Sequence, residues 1–483
     1  MRFPRSGALG GLVVLAVGLR LAFWAGTGFT NEDSYITLRY AENLAAGKGF
    51  VYNPGEQVLG VTTPLYALLL AGFLYCGLPA LALGKLLCIA ADAWLIVVLW
   101  RWLSALGETR AAWIAAVFIA VNDHFLHWSV SGMESALVAA LGVTAWRWLQ
   151  EGREHRAGVA LGVLFLLRWD SLLLAGLALG ERLVTTRRVP VKPLLLLTLL
   201  ALPWLIFALA YFGTPIPSTM HAKAVVYGWR FQGQLFPGLG KLMERFWGSP
   251  IYALLSVGAL LGLWHTLREK SLASLRAPAL WFALYWGAFL LSKNLLFLWY
   301  LLPPLPVYGL LAALGLARFT QRVSFKLPPI SLAGGVVALA IGMGLFLQRS
   351  VYEAQQIETH LRIPLGHWLR ERMAREETVM LEPIGYIGYF SQRRVLDVIG
   401  LVSPQVLPLW QKTDPAPMGS IASQFRPDWV VLRPGELQHI LDAYRASWER
   451  DYALVKTFSY KPSATREAVV FHVFRRRSLP MSR

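Results

Sequence analysis

Long apolar runs alternate with short polar segments over the first 349 residues and predict membrane-spanning helices. The run at 157–186 is interrupted by Arg168, Trp169 and Asp170, so we expect two spans that meet at a loop there. The stretch 61–100 fits either two spans or a short interfacial helix from Pro64 to Cys76 followed by one span. The apolar runs lie near 8–28, 61–82, 83–100, 112–130, 135–149, 157–186, 191–212, 249–264, 277–291, 295–317 and 329–348.

The distribution of Lys and Arg decides between these two topologies. With one span in the ambiguous stretch, six short segments on one side of the membrane hold 17 of the 28 Lys and Arg residues of positions 1–349. Two spans would move most of those basic segments outside, against the positive-inside rule. We therefore predict about eleven transmembrane helices, an N-terminus inside, and outer loops at about 29–80, 122–134 and 213–248.

Composition changes after residue 349 and predicts a second domain. Residues 1–349 contain 42 charged residues, whereas the shorter segment 350–483 contains 32, about 24%, which is close to the norm for soluble domains. Five short β-rich runs with helical patterns between them predict a small α/β domain on the outer side of the membrane. The fold class is thus a polytopic α-helical membrane domain over 1–349, followed by a soluble α/β domain over 350–483.

Composition and charge also exclude several functions. A hydrophobic content of 56% excludes an ordinary soluble enzyme. The net charge of +18 comes largely from basic residues between apolar runs, which is typical of loops beside anionic lipid, so nucleic acid is not an expected partner. Cys76 and Cys88 lie inside apolar runs and provide neither a disulfide framework nor a metal-ligand spacing.

Two adjacent acids, Glu32 and Asp33, follow the first span directly. A carboxylate at the membrane surface can act as a general base for an acceptor hydroxyl, and two neighbouring carboxylates could together hold a divalent cation. The alternative is that both acids only stabilise the N-terminus of the following helix. Lys85 and Asp92, seven residues apart in one span, are expected to form a structural pair.

Several separated motifs resemble one family of membrane enzymes. "EDSYITLRYAENLAAGKGFVYNPGEQVLGVTTPLY" is followed by "SGMES", "LLRWDSLLL", "GTPIPSTMHAK" and "EPIGYIGYFSQRRVLDVIGLVSP". In this order they resemble the GT-C membrane glycosyltransferases, and within them the branch of the actinobacterial terminal β-(1→2)-arabinofuranosyltransferase. Two positions depart from that pattern: Glu32 stands where many relatives have Asp, and Trp169 where proline is common.

The resemblance implies an enzyme that moves a sugar from a polyprenyl-phosphate donor to an acceptor hydroxyl with inversion. The acceptor would be a cell-envelope glycan, lipid or protein on the outer face of a bacterial inner membrane. The C-terminal domain would bind or position that acceptor, and Glu32 or Asp33 would be the base. No certain cofactor follows, because members of the class differ in whether they need a divalent cation.

A phosphate leaving group also needs cationic or hydrogen-bonding contacts. The candidates for donor and phosphate binding on the outer face are His221, Lys223, Arg168, Arg39 and Lys293. The lysines could instead be interfacial residues, and Arg168 could pair with Asp170 or Glu134. Further candidates for substrate binding are Tyr35, Asn53, Glu56, Glu134 and Tyr300.

Two other functional classes fit less well. A transporter or flippase of a lipid-linked sugar would place charged residues inside opposing spans near the membrane midplane. Only Lys85 and Asp92 meet that description, whereas the other acids cluster in the predicted outer loops. A non-catalytic scaffold would not need an acidic pair, basic residues and a long loop on one face.

Overall fold

The computed structural model describes residues 6–230, 239–291, 297–322, 348–411 and 413–477. The predicted span at 329–348, except for its last residue, lies outside the described residues, as does Lys293.

The first part of the chain is almost entirely helical, as the apolar pattern predicts. The structure contains the predicted short helix before α4 and the predicted break between α8 and α9 at Arg168–Asp170, while the number of spans in 61–100 stays a prediction. The helices are α1 (Ser6–Thr27), α2 (Glu32–Ala45), α3 (Pro64–Tyr75), α4 (Ala80–Ala105), α5 (Thr109–Val121), α6 (Asp123–Ser129), α7 (Ser135–Gln150), α8 (Glu154–Leu167), α9 (Ser171–Thr186), α10 (Val191–Phe212), α11 (Ser218–Arg230), α12 (Leu239–Trp247), α13 (Pro250–Arg268), α14 (Arg276–Leu291) and α15 (Leu305–Arg322).

Four described helices are long and apolar enough to cross a membrane: α1, α4, α10 and α13. In α10 the exposed side chains include Leu195, Leu199, Ile206 and Leu209, each more than half exposed. A helix with such an apolar outer surface requires a lipid environment. The chain is therefore a multi-pass membrane protein, and the count of eleven spans stays a prediction.

Two apolar runs are divided differently from the prediction. The run at 112–130 breaks at Asn122, because the Asn122 side chain accepts hydrogen bonds from the backbone N–H groups of His124 and Phe125 and starts a new helix. In the run at 295–317, a 3₁₀ turn at Leu298–Leu301 comes first. Helix α15 begins only at Leu305, after the pair Pro303 and Pro304, because prolines lack the N–H that a helix interior requires.

The predicted pairing of Lys85 with Asp92 is wrong. Asp92 is fully buried and forms an ion pair with Arg20 of α1 at 2.7 Å, while Lys85 donates to the carbonyl of Phe29 and the hydroxyl of Thr30. Helical spacing indicates which side chains share a face of α4, but the partner of Asp92 lies on another helix, α1. The Arg20 guanidinium also donates to backbone carbonyls of α1 and α5, so the pair is fully enclosed and joins three helices.

The C-terminal part contains all five predicted strands. A helix over 348–357 (α16) continues through a π-helical turn at Glu358–Arg362 into α17. The following elements are α17 (Ile363–Arg372), β1 (Thr378–Leu381), α18 (Tyr386–Ser391), β2 (Arg394–Asp397), α19 (Pro417–Phe425), β3 (Trp429–Leu432), α20 (Pro434–Asp451), β4 (Tyr452–Tyr460) and β5 (Val469–Arg476). The sheet order is β2-β1-β3-β5-β4, in which β2, β1 and β3 are parallel and β5 is antiparallel to both β3 and β4.

Candidate functional site

The N-terminus of α2 carries the acidic pair and is held in place by hydrogen bonds of Asn31 and Ser34. The Asn31 side chain accepts a hydrogen bond from the backbone N–H of Asp33 at 2.9 Å, which starts the helix. The backbone N–H of Asn31 and the hydroxyl of Ser34 both donate to the carbonyl of Ser131, at 2.7 and 2.8 Å. The first loop is therefore bound directly to the "SGMES" segment.

Glu32 and Asp33 occupy different environments. A carboxylate oxygen of Glu32 accepts a hydrogen bond from the backbone N–H of Gly385 in the C-terminal domain. Burial raises the pKa of Glu32 well above its ordinary value, and the charge of Asp33 adds to the increase. Among the described residues, the carboxylate of Asp33 accepts no hydrogen bond and forms no ion pair. Glu32 thus joins two domains, while Asp33 keeps a carboxylate that can receive a proton.

A methyl group at Gly385 tests the contact with Glu32. An added Cβ would overlap the carboxylate and the backbone oxygen of Glu32. We expect Gly385→Ala to destabilise the protein by about 1–3 kcal/mol, as overpacking usually does, and to lower activity by displacing α2. Thermal unfolding of the purified protein in detergent measures the first effect. Gly435→Ala is the matched control, because a Cβ there meets only open space; equal melting temperatures for the two variants would contradict the contact.

Three more charged side chains form a group that meets the acidic pair through Glu134. Glu134, at the start of α7, is buried, and burial raises its pKa to about 7, with Asp33 among the charges that contribute. Arg168 lies 3.8 Å from Glu134 and forms a two-point hydrogen bond with Asp170, at 3.0 and 2.6 Å. This geometry supports the alternative in which Arg168 is neutralised by carboxylates beside the site.

Lys223 lies over a group of aromatic rings. Its amino group is 4.7 Å from the ring centre of Phe297, 5.7 Å from that of Trp299 and 5.9 Å from that of Tyr300. The Tyr300 ring in turn lies 5.1 Å from the guanidinium of Arg168. Lys223 forms no ion pair within the described part of the chain, so its positive charge is not neutralised by a protein carboxylate.

The structure separates His221 from Lys223. Residues two apart on a helix point to nearly opposite sides. His221 is exposed, and no contact of its ring with another described side chain is found, whereas Lys223 is partly buried against the aromatic group. Of the two candidates in "STMHAK", Lys223 therefore faces the same group of residues as Arg168.

Four other predicted residues lie at the contact between the first loop and the C-terminal domain. Arg39 is buried and donates to the backbone carbonyls of Tyr52, Gly388 and Arg393. Asn53 exchanges hydrogen bonds with the backbone of Val395 in β2, and Glu56 forms an ion pair with Arg394. Tyr35 packs against Tyr386, Tyr389 and Phe390. The donors and acceptors of Arg39, Asn53 and Glu56 are thus used between protein segments.

The sequence analysis missed several residues of this region. The Tyr285 hydroxyl donates to the Tyr300 carbonyl and lies close to Asp170. Phe297 and Trp299 complete the aromatic surface beneath Lys223. The signal available was the aromatic run "FLWY" at the outer start of the predicted span 295–317, which could equally belong to an interfacial belt of aromatic residues.

The helix that carries Lys223 is held by both domains. The backbone N–H and hydroxyl of Ser218 each donate to the Leu59 carbonyl at 2.9 Å, and the hydroxyl also contacts the Leu401 carbonyl. Leu401 belongs to a turn fixed by Asp397, whose carboxylate accepts hydrogen bonds from the backbone N–H groups of Ile399 and Val402 at 2.9 and 3.1 Å. A buried acid of the C-terminal sheet thus positions the turn against which α11 begins.

The environment of Asp397 predicts a pH dependence of stability. Burial raises the pKa of Asp397 from about 3.8 to about 7, so the folded state binds more protons than the unfolded state between these values. The stabilisation that comes from this extra proton is fully present below pH 4 and is lost as pH rises toward 7. The free energy of unfolding then falls by at most about 1.4 kcal/mol per pH unit. Asp397→Asn should show a smaller loss of melting temperature from pH 5 to 7.5 than wild type does. The exposed Asp442→Asn should keep the wild-type slope, and an unchanged slope in Asp397→Asn would contradict this role.

The described residues contain no group of three or more His, Cys, Asp or Glu side chains arranged to hold a metal ion. One of the two acids that could form a cation site, Glu32, is used by Gly385.

Comparison with solved structures defines the class of fold. The chain has the GT-C fold of membrane glycosyltransferases, as the sequence resemblance predicts. ArnT from Cupriavidus metallidurans, crystallised with undecaprenyl phosphate, superposes with a TM-score of 0.60 at 12% identity over 97% of this chain and 98% of that one. AglB from Archaeoglobus fulgidus superposes with a TM-score of 0.61 at 14% identity over 99% of this chain and 75% of that one. It is an archaeal oligosaccharyltransferase in complex with an inhibitory peptide and a dolichol-phosphate.

Sequence comparison identifies a relative in the predicted branch. The chain is 31% identical over 254 residues to the terminal beta-(1->2)-arabinofuranosyltransferase of Mycobacterium tuberculosis (strain ATCC 25618 / H37Rv). The match covers 48% of this chain and 40% of that protein, so the chain spans less than half the length of this relative. Residues 349–473 match a family described as a domain of unknown function, DUF8728.

Proposed function

We propose that this protein is an inverting glycosyltransferase that uses a polyprenyl-phosphate sugar and transfers the sugar to a hydroxyl of a cell-envelope glycan, lipid or protein. The observation that carries the proposal is the carboxylate of Asp33, which has no hydrogen-bond or ion-pair partner among the residues that the structure describes. It lies beside the buried Glu134 and in the same region as the cationic Lys223 and Arg168. In the proposed topology this region and the C-terminal domain face the outside of a bacterial inner membrane.

In the proposed reaction, Asp33 is the general base. The acceptor oxygen attacks the anomeric carbon while its proton moves to the Asp33 carboxylate. The bond between the anomeric carbon and the phosphate oxygen breaks, and its electron pair leaves with the phosphate. The products are an inverted glycoside and polyprenyl phosphate.

Lys223 is the residue that we propose to stabilise the leaving phosphate. No described carboxylate forms an ion pair with its amino group. The aromatic rings beside it keep water away on that side and so strengthen its electrostatic attraction for a phosphate. Arg168 is paired with Asp170, so we assign it the task of orienting Glu134 and Tyr300. Arg39, Asn53 and Glu56 support the proposal indirectly by holding the first loop against the C-terminal sheet.

The relatives support the donor class. The two structural neighbours were determined in complex with undecaprenyl phosphate and with a dolichol-phosphate, and the M. tuberculosis relative is named as an arabinofuranosyltransferase. A polyprenyl phosphate is chemically the product of the proposed reaction. Which sugar it carries is open to direct measurement.

A panel of radiolabelled polyprenyl-phosphate pentoses and hexoses tests the proposal. The purified protein is incubated in vesicles with each donor and an acceptor extract from the cell envelope. We expect transfer of label from one donor into acceptor material. If no label is transferred but labelled lipid moves between leaflets, the protein is a transporter of lipid-linked sugar and the enzymatic proposal is wrong.

A further inference from the structure

A second polar cleft lies away from the Asp33 carboxylate, between the first loop and the C-terminal domain. It has a volume of about 780 Å³, and no apolar side chain lines it. Four cations, Lys48, Arg370, Arg375 and Arg393, face it with two carboxylates, Glu42 and Glu371. The two segments that form its walls are the end of the first loop's helix and the end of α17.

The four cations of this cleft have no carboxylate partner among the described residues, whereas several other arginines of the C-terminal domain have one. Among the described residues, none of the four forms an ion pair, whereas Arg394, Arg433 and Arg476 each contact a carboxylate. Glu42 instead accepts a hydrogen bond from the side chain of Gln392, at 3.0 Å.

Arg393 holds the cations together in one surface. Its guanidinium donates to the backbone carbonyls of Met373 and Arg370. Burial lowers the pKa of Arg393, and the charges of Arg370 and Arg375 lower it further, against the opposing effect of Glu376 and Glu377. Like charges so arranged repel one another, and a bound anion would relieve that repulsion.

The cleft is connected to the Asp33 site by a single helix. Glu42 lies nine residues after Asp33 on α2, which corresponds to about 13 Å along the helix axis. The two side chains lie on opposite faces of α2, so an extended chain bound in the cleft would have to pass around this helix to reach Asp33. A lipid tail would find no apolar side chain in the lining, whereas the hydroxyls and charges of a polysaccharide match its polar and charged side chains.

We propose that this cleft binds carboxylate or phosphate groups of an anionic polysaccharide, with Arg370 and Arg375 as the main contacts. This binding does not depend on any catalytic activity. That the bound polysaccharide is also the acceptor rests on the proposed function. The cleft then selects the acceptor by its charge, at a distance from the reacting hydroxyl.

Binding of a defined oligosaccharide tests this proposal. The probe is a fluorescent decamer of galacturonic acid, titrated with the full-length protein in neutral detergent, and a neutral glucose decamer is the comparison. The double variant Arg370→Ala/Arg375→Ala is expected to bind the acidic decamer about ten-fold more weakly than wild type, with a smaller salt dependence. The matched control is Arg372→Ala/Arg445→Ala, which removes two exposed arginines that do not line the cleft.

The possible outcomes distinguish this inference from the proposed function. Binding of the acidic decamer that depends on Arg370 and Arg375 supports the cleft as a polysaccharide site, even if no sugar transfer is ever found. Equal binding of the neutral decamer, or an equal loss in the control variant, overturns it. Binding only to vesicles of phosphatidylglycerol would assign the cleft to the membrane surface instead. The melting temperature of the double variant in the same preparation should equal that of wild type, which verifies folding without any transfer activity.

Discussion

Asp33→Asn is expected to lower the rate of sugar transfer by about 10²–10⁴-fold, the usual loss when a general base is removed. The amide keeps the size of the carboxylate but cannot accept the acceptor proton. Donor binding should stay within a few-fold of wild type, because Asp33 does not contact the phosphate in this account. The measurement is single-turnover transfer from the radiolabelled donor, together with a separate donor-binding titration.

Glu32→Gln is the matched control for this prediction. Its amide oxygen can still accept the hydrogen bond from the Gly385 N–H, so the contact between domains survives. We expect it to keep transfer within about ten-fold of wild type. If Glu32→Gln is inactive and Asp33→Asn is active, the two roles are exchanged. If both variants are fully active, the pair only stabilises the start of α2, and the mechanism is wrong.

Lys223→Met is expected to have the second-largest effect. The methionine keeps an unbranched side chain over the aromatic rings but removes the charge that would face the leaving phosphate. A hydrogen bond to a charged group contributes about 1.5–3 kcal/mol, which corresponds to about a 10–150-fold loss of kcat/KM. Inhibition by polyprenyl phosphate, the proposed product, should weaken in parallel.

Two further variants define the role of Lys223. Lys223→Arg should recover part of the activity, because it restores the charge with a different shape. His221→Ala should behave like wild type, since His221 is exposed on the other side of α11. Loss of activity in His221→Ala with full activity in Lys223→Met would reverse the assignment of the two residues.

Periodicity and charge predicted much of the architecture. The distribution of Lys and Arg favoured the short helix α3 before α4, and the interruption of an apolar run predicted the break at Arg168–Asp170. The alternation of β-rich and helical segments predicted all five strands, although not their order in the sheet. These features are local, so they follow from the sequence of each segment.

Pairing between distant segments could not be predicted in the same way. Asp92 was expected to bind Lys85, seven residues earlier, but Arg20 on another helix is its partner. Arg39, expected at a phosphate, is held by carbonyls from the C-terminal domain, more than 340 residues later in the sequence. Such contacts depend on how helices and domains are placed in space, which hydrophobic periodicity does not contain.

The candidate site was found because its motifs could be compared with a family, and the structure then brought them together. The Ser131 carbonyl binds the loop before α2, Gly385 binds Glu32, and Leu401 contacts the start of α11. These contacts join four of the separated motifs. The difference between Glu32 and Asp33 was not predictable, because it depends on a backbone N–H of the C-terminal domain.

The most direct test of the account is a stoichiometric analysis of the reaction products. The donor identified in the panel is reacted with acceptor, polyprenyl phosphate is quantified by mass spectrometry, and the new glycosidic bond is assigned by NMR. We predict one polyprenyl phosphate released per glycoside formed, an anomeric configuration opposite to that of the donor, and neither product with Asp33→Asn. A glycoside with retained configuration, or product formation unaffected by Asp33→Asn, would contradict direct displacement with Asp33 as the base.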